Sequence, residues 1–152
     1  KERMHRVSGI IPGVMAQTGM ESLEIIRGVI RETEPDCIVA VDALAARSVK
    51  RLNRTIQITN TGISPGSGVG NHREGLNEEN LSVRVIGIGV PTVVDAATIV
   101  NDAISGYYEE VDCTLNSFFV TPKDIDESIK RLSFTISEGL NLAFEKTVCT
   151  NS

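Results

Sequence analysis

Cys37-Ile-Val-Ala-Val41 is an unbroken apolar run of mainly β-branched residues that ends at an aspartate, Asp42. Continuity, in place of the alternation of a half-exposed strand, marks a strand covered on both faces, as in a parallel sheet. The segment before it, Ser22 to Thr33, carries Leu23, Ile26 and Ile30 at helical spacing, with Ile25 and Val29 to one side. Pro35-Asp36 separates the two. Helical and extended periods in alternation predict a layered α/β fold and exclude an all-helical bundle or a β-sandwich.

The rest of the chain repeats this rhythm. A short apolar stretch, Val7 to Ile11, precedes Pro12-Gly13 and a polar turn at Gln17-Thr18-Gly19. Residues 43–53 are rich in helix formers, and Thr55-Ile-Gln-Ile-Thr59 alternates as an edge strand would. A glycine-rich break follows over residues 60–80, long enough to suggest a functional loop. Val83-Arg-Val-Ile-Gly-Ile-Gly-Val90 reads as a strand ended by Pro91, and Thr92 as the cap of a helix from Val93 to Tyr108. Thr121, Pro122 and Asp124 predict the start of an amphipathic helix running to about Phe144.

The expected fold is an open, twisted, mostly parallel sheet with helices on both faces. With 152 residues and 41% hydrophobic side chains, about 68–70% of the unfolded surface can be buried without metal or cross-links. A single domain over residues 1–152 is therefore expected, with residues 145–152 as a disordered tail. Cys37, Cys113 and Cys149 form no CxxC pair and leave an odd thiol, which fits a reducing compartment. The sequence lacks any apolar run of the roughly 20 residues a bilayer requires. Residues 77–152 hold 5 basic and 12 acidic groups, which argues against broad nucleic-acid binding. A first residue other than Met, Lys1, fits a fragment or a processed product.

Ligands of open α/β sheets gather at the carboxyl ends of strands, and that rule selects Asp42. It serves either as a catalytic carboxylate or as the cap of the next helix. Asp95, in the first turn of the expected helix, either favours the helix N-terminus or pairs with Asp42, in which case mutual repulsion would raise one pKa. Pro65-Gly-Ser-Gly-Val-Gly-Asn71 lacks the Lys-Ser/Thr of a phosphate loop, so Gly66, Ser67 and Gly68 read as a turn-forming loop that lets a peptide approach closely. Ser67 sits in no nucleophile elbow. His5 and His72 make no zinc signature, and Cys37 reads as a small hydrophobe. Arg47, Lys50, Arg51 and Arg54 form a basic face, solvated surface unless it borders a site, where it would favour an acidic partner.

Several long words in one order, Pro12-Gly-Val-Met-Ala-Gln-Thr-Gly-Met-Glu21, Ile38-Val-Ala-Val-Asp-Ala-Leu-Ala-Ala-Arg-Ser48, Thr61-Gly-Ile-Ser-Pro-Gly-Ser-Gly-Val-Gly-Asn71 and Gly89-Val-Pro-Thr-Val-Val-Asp-Ala96, closely resemble the germination proteases of spore-forming bacteria. The resemblance runs from about Gly9 to Asp102 and returns at Val120 to Ala143. It implies a fold similar to the hydrogenase-maturation proteases and other phosphorylase/hydrolase-like proteins. It also implies an atypical aspartic-type endopeptidase, made as an inactive precursor, that degrades small acid-soluble spore proteins in the cytoplasm of the germinating spore. Asp42 matches one of two catalytic aspartates, and no cofactor is implied. The other aspartate lies in an N-terminal Gly-rich motif that this sequence does not contain, so the chain is expected to be a C-terminal portion, inactive alone. Asp95, Gly66, Ser67 and Gly68 are the candidate substrate-binding residues, and a homo-oligomer without nucleic-acid or membrane partners is expected. Two other readings are a non-catalytic assembly module and a metal-dependent maturation-type peptidase of the same fold.

Overall fold

The computed structural model describes residues 6–13, 18–65, 74–104 and 117–145. The chain divides into two compact units, Pro12–Ile125 on the one hand and Lys1–Ile11 with Asp126–Ser152 on the other. The first unit holds the sheet. Helix α1 (Ser22–Thr33) opens it with a reciprocal cap between Glu21 and Glu24, which satisfies N-terminal amides that lack partners within the helix. Glu34, in the left-handed conformation, closes the helix by donating its N–H to the Ile30 carbonyl.

Strand β1 (Cys37–Ala46) follows, then a 3-10 turn at Val49–Arg51, the short strand β2 (Gln57–Thr59), helix α2 (Glu78–Leu81) and the long strand β3 (Arg84–Asp95). Helix α3 (Ala96–Ile104) and strand β4 (Phe119–Val120) complete this unit. Strand β3 is central. It pairs parallel with β1 along almost its whole length, and antiparallel with β2 near its middle and with β4 at its end. The sheet is therefore open and mixed, where the sequence pattern predicted a mostly parallel one.

One face of the first half of the sheet carries a core cluster, while Ile88 and Val90 are buried on the other face. Leu23, Leu76, Leu81 and Val85 are buried together, and Ile26, Ile30, Ile38, Ala40 and Ile63 pack against them. Helix α1 thus docks its apolar stripe on the first half of β1 and β3, as the spacing of Leu23, Ile26 and Ile30 requires.

Three elements depart from the sequence reading, each for a physical reason. Residues 43–46 extend β1 where a helix was expected, because Ala43 to Ala46 each find a partner on β3, from Val90 to Val94. Pairing outweighs the helix preference of alanine, a fraction of a kcal/mol per residue. Pro91 does not end β3. The register passes from Leu44↔Pro91 to Ala45↔Val93, so Thr92 is the extra residue of a bulge and the missing N–H of Pro91 falls where the ladder is already irregular. Thr92 is accordingly no cap, and α3 begins at Ala96. Thr121, the expected cap of the last helix, donates its hydroxyl to the Thr92 carbonyl instead (3.0 Å).

Helix α4 (Ile125–Phe144), which belongs to the second unit from Asp126 onward, ends where the amphipathic pattern placed its end. Val7 to Ile11 form no strand and are exposed, Ile11 at 95%. The predicted tail falls mostly on residues 146–152, which lie outside the described residues, as do His5, His72, Cys113 and Cys149.

Candidate active site

Asp42 does not stand at a strand end. Because β1 continues to Ala46, Asp42 is a mid-strand residue paired in register with Gly89 of β3. Alternation along the strand puts it on the same face as Ile38, Ala40 and Leu44, the face of the Leu23–Val85 cluster, while Val41 points to the other side and is 53% exposed. The rows beside it are unusual for a central strand, since β3 presents Gly87 opposite Ala40 and Gly89 opposite Asp42.

Both glycines are filled by neighbours. A Cβ on Gly87 would meet the Gly62 carbonyl oxygen at 2.9 Å and the Thr59 methyl at 3.1 Å, so the backbone of the glycine-rich loop lies directly on this strand. A Cβ on Gly89 would collide with the side chain of Leu44, whose isobutyl group covers that position. Asp42 is thus half-buried, with an apolar side chain two residues along its own strand and a loop backbone crossing one row away.

The loop is fastened at its neck. Ile63 and Leu76 exchange two backbone hydrogen bonds (2.9 and 2.7 Å), and both side chains join the core cluster. Gly62, at φ +87°, makes the turn that a side chain would block against Leu76 and Asn77. On the return limb the Asn77 side chain caps α2 by accepting from the Asn80 N–H (2.8 Å), the Asn80 amide donates to the Gly75 carbonyl (2.8 Å), and Arg27 of α1 donates to the Asn80 carbonyl (3.1 and 3.3 Å). Thr59 and Thr61 share a hydroxyl hydrogen bond of 2.7 Å on the outgoing limb. The tip holding Gly66, Ser67 and Gly68 lies outside the described residues, but it springs from a base fixed one row from Asp42.

Asp95 is elsewhere and otherwise engaged. Its carboxylate accepts the Thr98 N–H (2.6 Å) and the Thr98 hydroxyl (2.7 Å), the geometry of an N-cap for α3. Six register positions separate Gly89, the partner of Asp42, from Asp95. At ~3.3 Å per residue that is about 20 Å, so the two carboxylates do not form a pair.

Sequence reasoning overlooked Leu44, the side chain over Gly89, and Asn53. The latter takes a left-handed conformation (φ 53°), donates its backbone N–H to the Pro91 carbonyl (2.8 Å), and buries a side-chain amide with no partner among the described residues. Its signal was available, since asparagine tolerates positive φ better than most residues and stands in a basic turn.

The arrangement is that of a mixed-sheet α/β protein whose candidate site is a strand-borne carboxylate bounded by a pinned, glycine-rich loop. Residues 1–112 match the germination protease family. Among individual relatives, the germination protease of Clostridium perfringens (strain SM101) is 43% identical over 169 residues, covering 91% of this chain and 52% of its own length. That of Clostridium tetani is 44% identical over 174 residues, 95% of this chain and 54% of its own. That of Bacillus velezensis is 58% identical over 104 residues, 68% of this chain and 28% of its own. The chain belongs to the germination protease family, and it spans about half the length of the clostridial relatives it matches. No helix among the described residues is long and apolar enough to cross a membrane.

Proposed function

We propose that this chain supplies one carboxylate, Asp42, to the two-aspartate site of an endopeptidase that degrades small acid-soluble spore proteins during germination. The observation that carries the reading is the position of Asp42: half-buried on the face of the Leu23–Val85 cluster, paired with a glycine, one row from a fixed loop neck, in a chain of this family. A carboxylate so placed has an extended floor on one side and loop backbone on the other, which suits a substrate bound as a strand.

Hydrolysis divides its work between two acids. One carboxylate takes a proton from water as it attacks the scissile carbonyl; the other, protonated, donates to the carbonyl oxygen or the departing amine. Asp42 is one of them, and the second comes from sequence outside this chain, so these 152 residues are inactive alone. Asp95, committed to its helix, serves α3 and not the reaction. The complete enzyme would have the doubly covered sheet of the hydrogenase-maturation proteases, be made as an inactive homo-oligomeric precursor, act in the cytoplasm of the spore core, and use no cofactor, nucleic acid or membrane.

The test is Asp42→Asn in the complete enzyme, assayed on a purified small acid-soluble spore protein with circular dichroism as the control for folding. Loss of cleavage with an unchanged spectrum is expected. Retention of full activity removes Asp42 from the mechanism.

A further inference from the structure

From residue 43 to residue 73 the sequence contains no Asp or Glu, although acids outnumber bases 20 to 15 in the whole chain. This acid-free interval starts immediately after Asp42 and includes Arg47, Lys50, Arg51 and Arg54, all exposed. Among the described residues no carboxylate lies within ion-pair distance of these four; the one salt bridge found there joins Arg131 to Glu127 in α4. Solvated surface usually mixes its signs, so a run of four cations in an acid-free stretch of a chain of net charge −5 is a local reversal of the charge pattern.

The fold also holds these cations on a fixed base. Ser48 Oγ and the Val49 N–H both donate to Asp102 of α3 (3.0 and 2.8 Å), which fastens the start of the turn. The Asn53 N–H bonds to the Pro91 carbonyl at its far end. Between them the 3-10 turn at Val49–Arg51 sets Lys50 and Arg51 facing solvent. Asp102 carries these two hydrogen bonds of the turn itself. The turn stands at the carboxyl end of the parallel pair β1–β3, the end at which α/β sheets receive ligands.

We infer that Arg47, Lys50, Arg51 and Arg54 form a docking site for an acidic segment of the peptide substrate, some four to six residues from the bond that is cut. This rests on the reading of Asp42 as a catalytic carboxylate. The spacing follows from the strand: five residues from Asp42 to Arg47 cover about 16 Å, and an extended peptide lying alongside advances by nearly the same step. A peptide is favoured over a nucleic acid because residues 47–54 include no aromatic side chain on which a base could stack, and the remainder of the chain is acidic. Exposed pairs are individually weak, so two or three of them together account for about a tenfold preference at low ionic strength and little at high.

Binding separates this proposal from the catalytic one. The complete enzyme carrying Asp42→Asn is titrated, by fluorescence anisotropy, with a labelled peptide bearing a block of Glu, with its Gln counterpart, and with a single-stranded oligonucleotide of equal charge. The acidic peptide is expected to bind about tenfold more tightly than the Gln peptide at ~20 mM salt, with the preference lost at ~300 mM. It is also expected to disappear in R47Q/K50Q/R51Q/R54Q and to persist in Lys50→Arg. Equal binding of the two peptides, or a preference that survives the fourfold substitution, overturns the docking site; tighter binding of the oligonucleotide overturns its assignment to a peptide. If the parent enzyme binds the acidic peptide by this rule but cleaves no spore protein, the peptidase reading fails and the docking site stands. If cleavage is intact and the charge preference absent, the docking site alone fails.

Discussion

Asp42 and Asp95 look alike in sequence: each closes a β-branched run, and each precedes residues that form helices readily. The structure gives them different employment. After Asp42 the strand continues for four more residues, because β3 offers partners up to Val94; after Asp95 the sheet ends and α3 begins. A carboxylate at a true strand end has the unpaired amides of a helix within reach, and Asp95 takes the Thr98 N–H. One in mid-strand has its backbone in the ladder and its side chain on a sheet face. What distinguishes a helix cap from a candidate catalytic group is therefore whether the strand stops there.

The sharpest way to break this comparison is to neutralise each acid in the complete enzyme. Asp42→Asn should lower kcat/KM for a spore protein by about 10²–10⁴-fold, the usual worth of a positioned acid or base. Asp95→Asn should leave it within a few-fold, since asparagine caps helices as well as aspartate does. Equal losses in the two variants would erase the distinction.

How much of this was readable beforehand follows the same line. The helix Ser22–Thr33, the two long strands and the end of α4 were legible, because a continuous apolar run or a 3.6-residue stripe states its burial directly. The termination of β1 was not. Ala43, Ala45 and Ala46 prefer helix by local propensity, and only the partner strand, some 45 residues later, overrides it. Pro91 misled for a related reason: its lack of an N–H argues for a strand end unless a bulge absorbs it, and a bulge is a property of two strands together. Of the candidate site, Asp42 was visible through its run and the family words around it. Leu44, Gly87 and Gly89 were not, since what fills the space above a glycine is a tertiary fact.

The next largest effect falls on the support for Asp42. Gly87→Ala would drive a methyl group into the Gly62 carbonyl at 2.9 Å, and that backbone is held by the Ile63–Leu76 bridge and cannot swing aside. Overpacking against rigid backbone points to the upper part of the usual range, about 2–3 kcal/mol, measured as a drop in chemical-denaturation stability. A neutral result would mean that the loop neck yields, and that the wall beside Asp42 is softer than its hydrogen bonds suggest. Asp95→Ala, on the other side of the comparison, should cost about 1 kcal/mol through loss of the α3 cap while activity persists. A catalytic defect out of proportion to that cost would return Asp95 to the site.

Gly89→Ala should have a similarly small effect on stability and the most informative effect on the site. The new methyl group meets a flexible side chain, Leu44, and not backbone, so the strain can be relieved by a change of rotamer at about 1 kcal/mol. The displaced isobutyl group has to move along the face that Asp42 occupies, two residues away on the same strand. If Leu44 packs against the substrate, KM should rise while kcat holds, because the contact is made equally in the ground and transition states. If it only covers Gly89, both constants should stay near those of the parent. A fall in kcat at constant KM would contradict both and show that Leu44 sets the position of the carboxylate itself, which would extend the machinery around Asp42 by one residue that has no counterpart at Asp95.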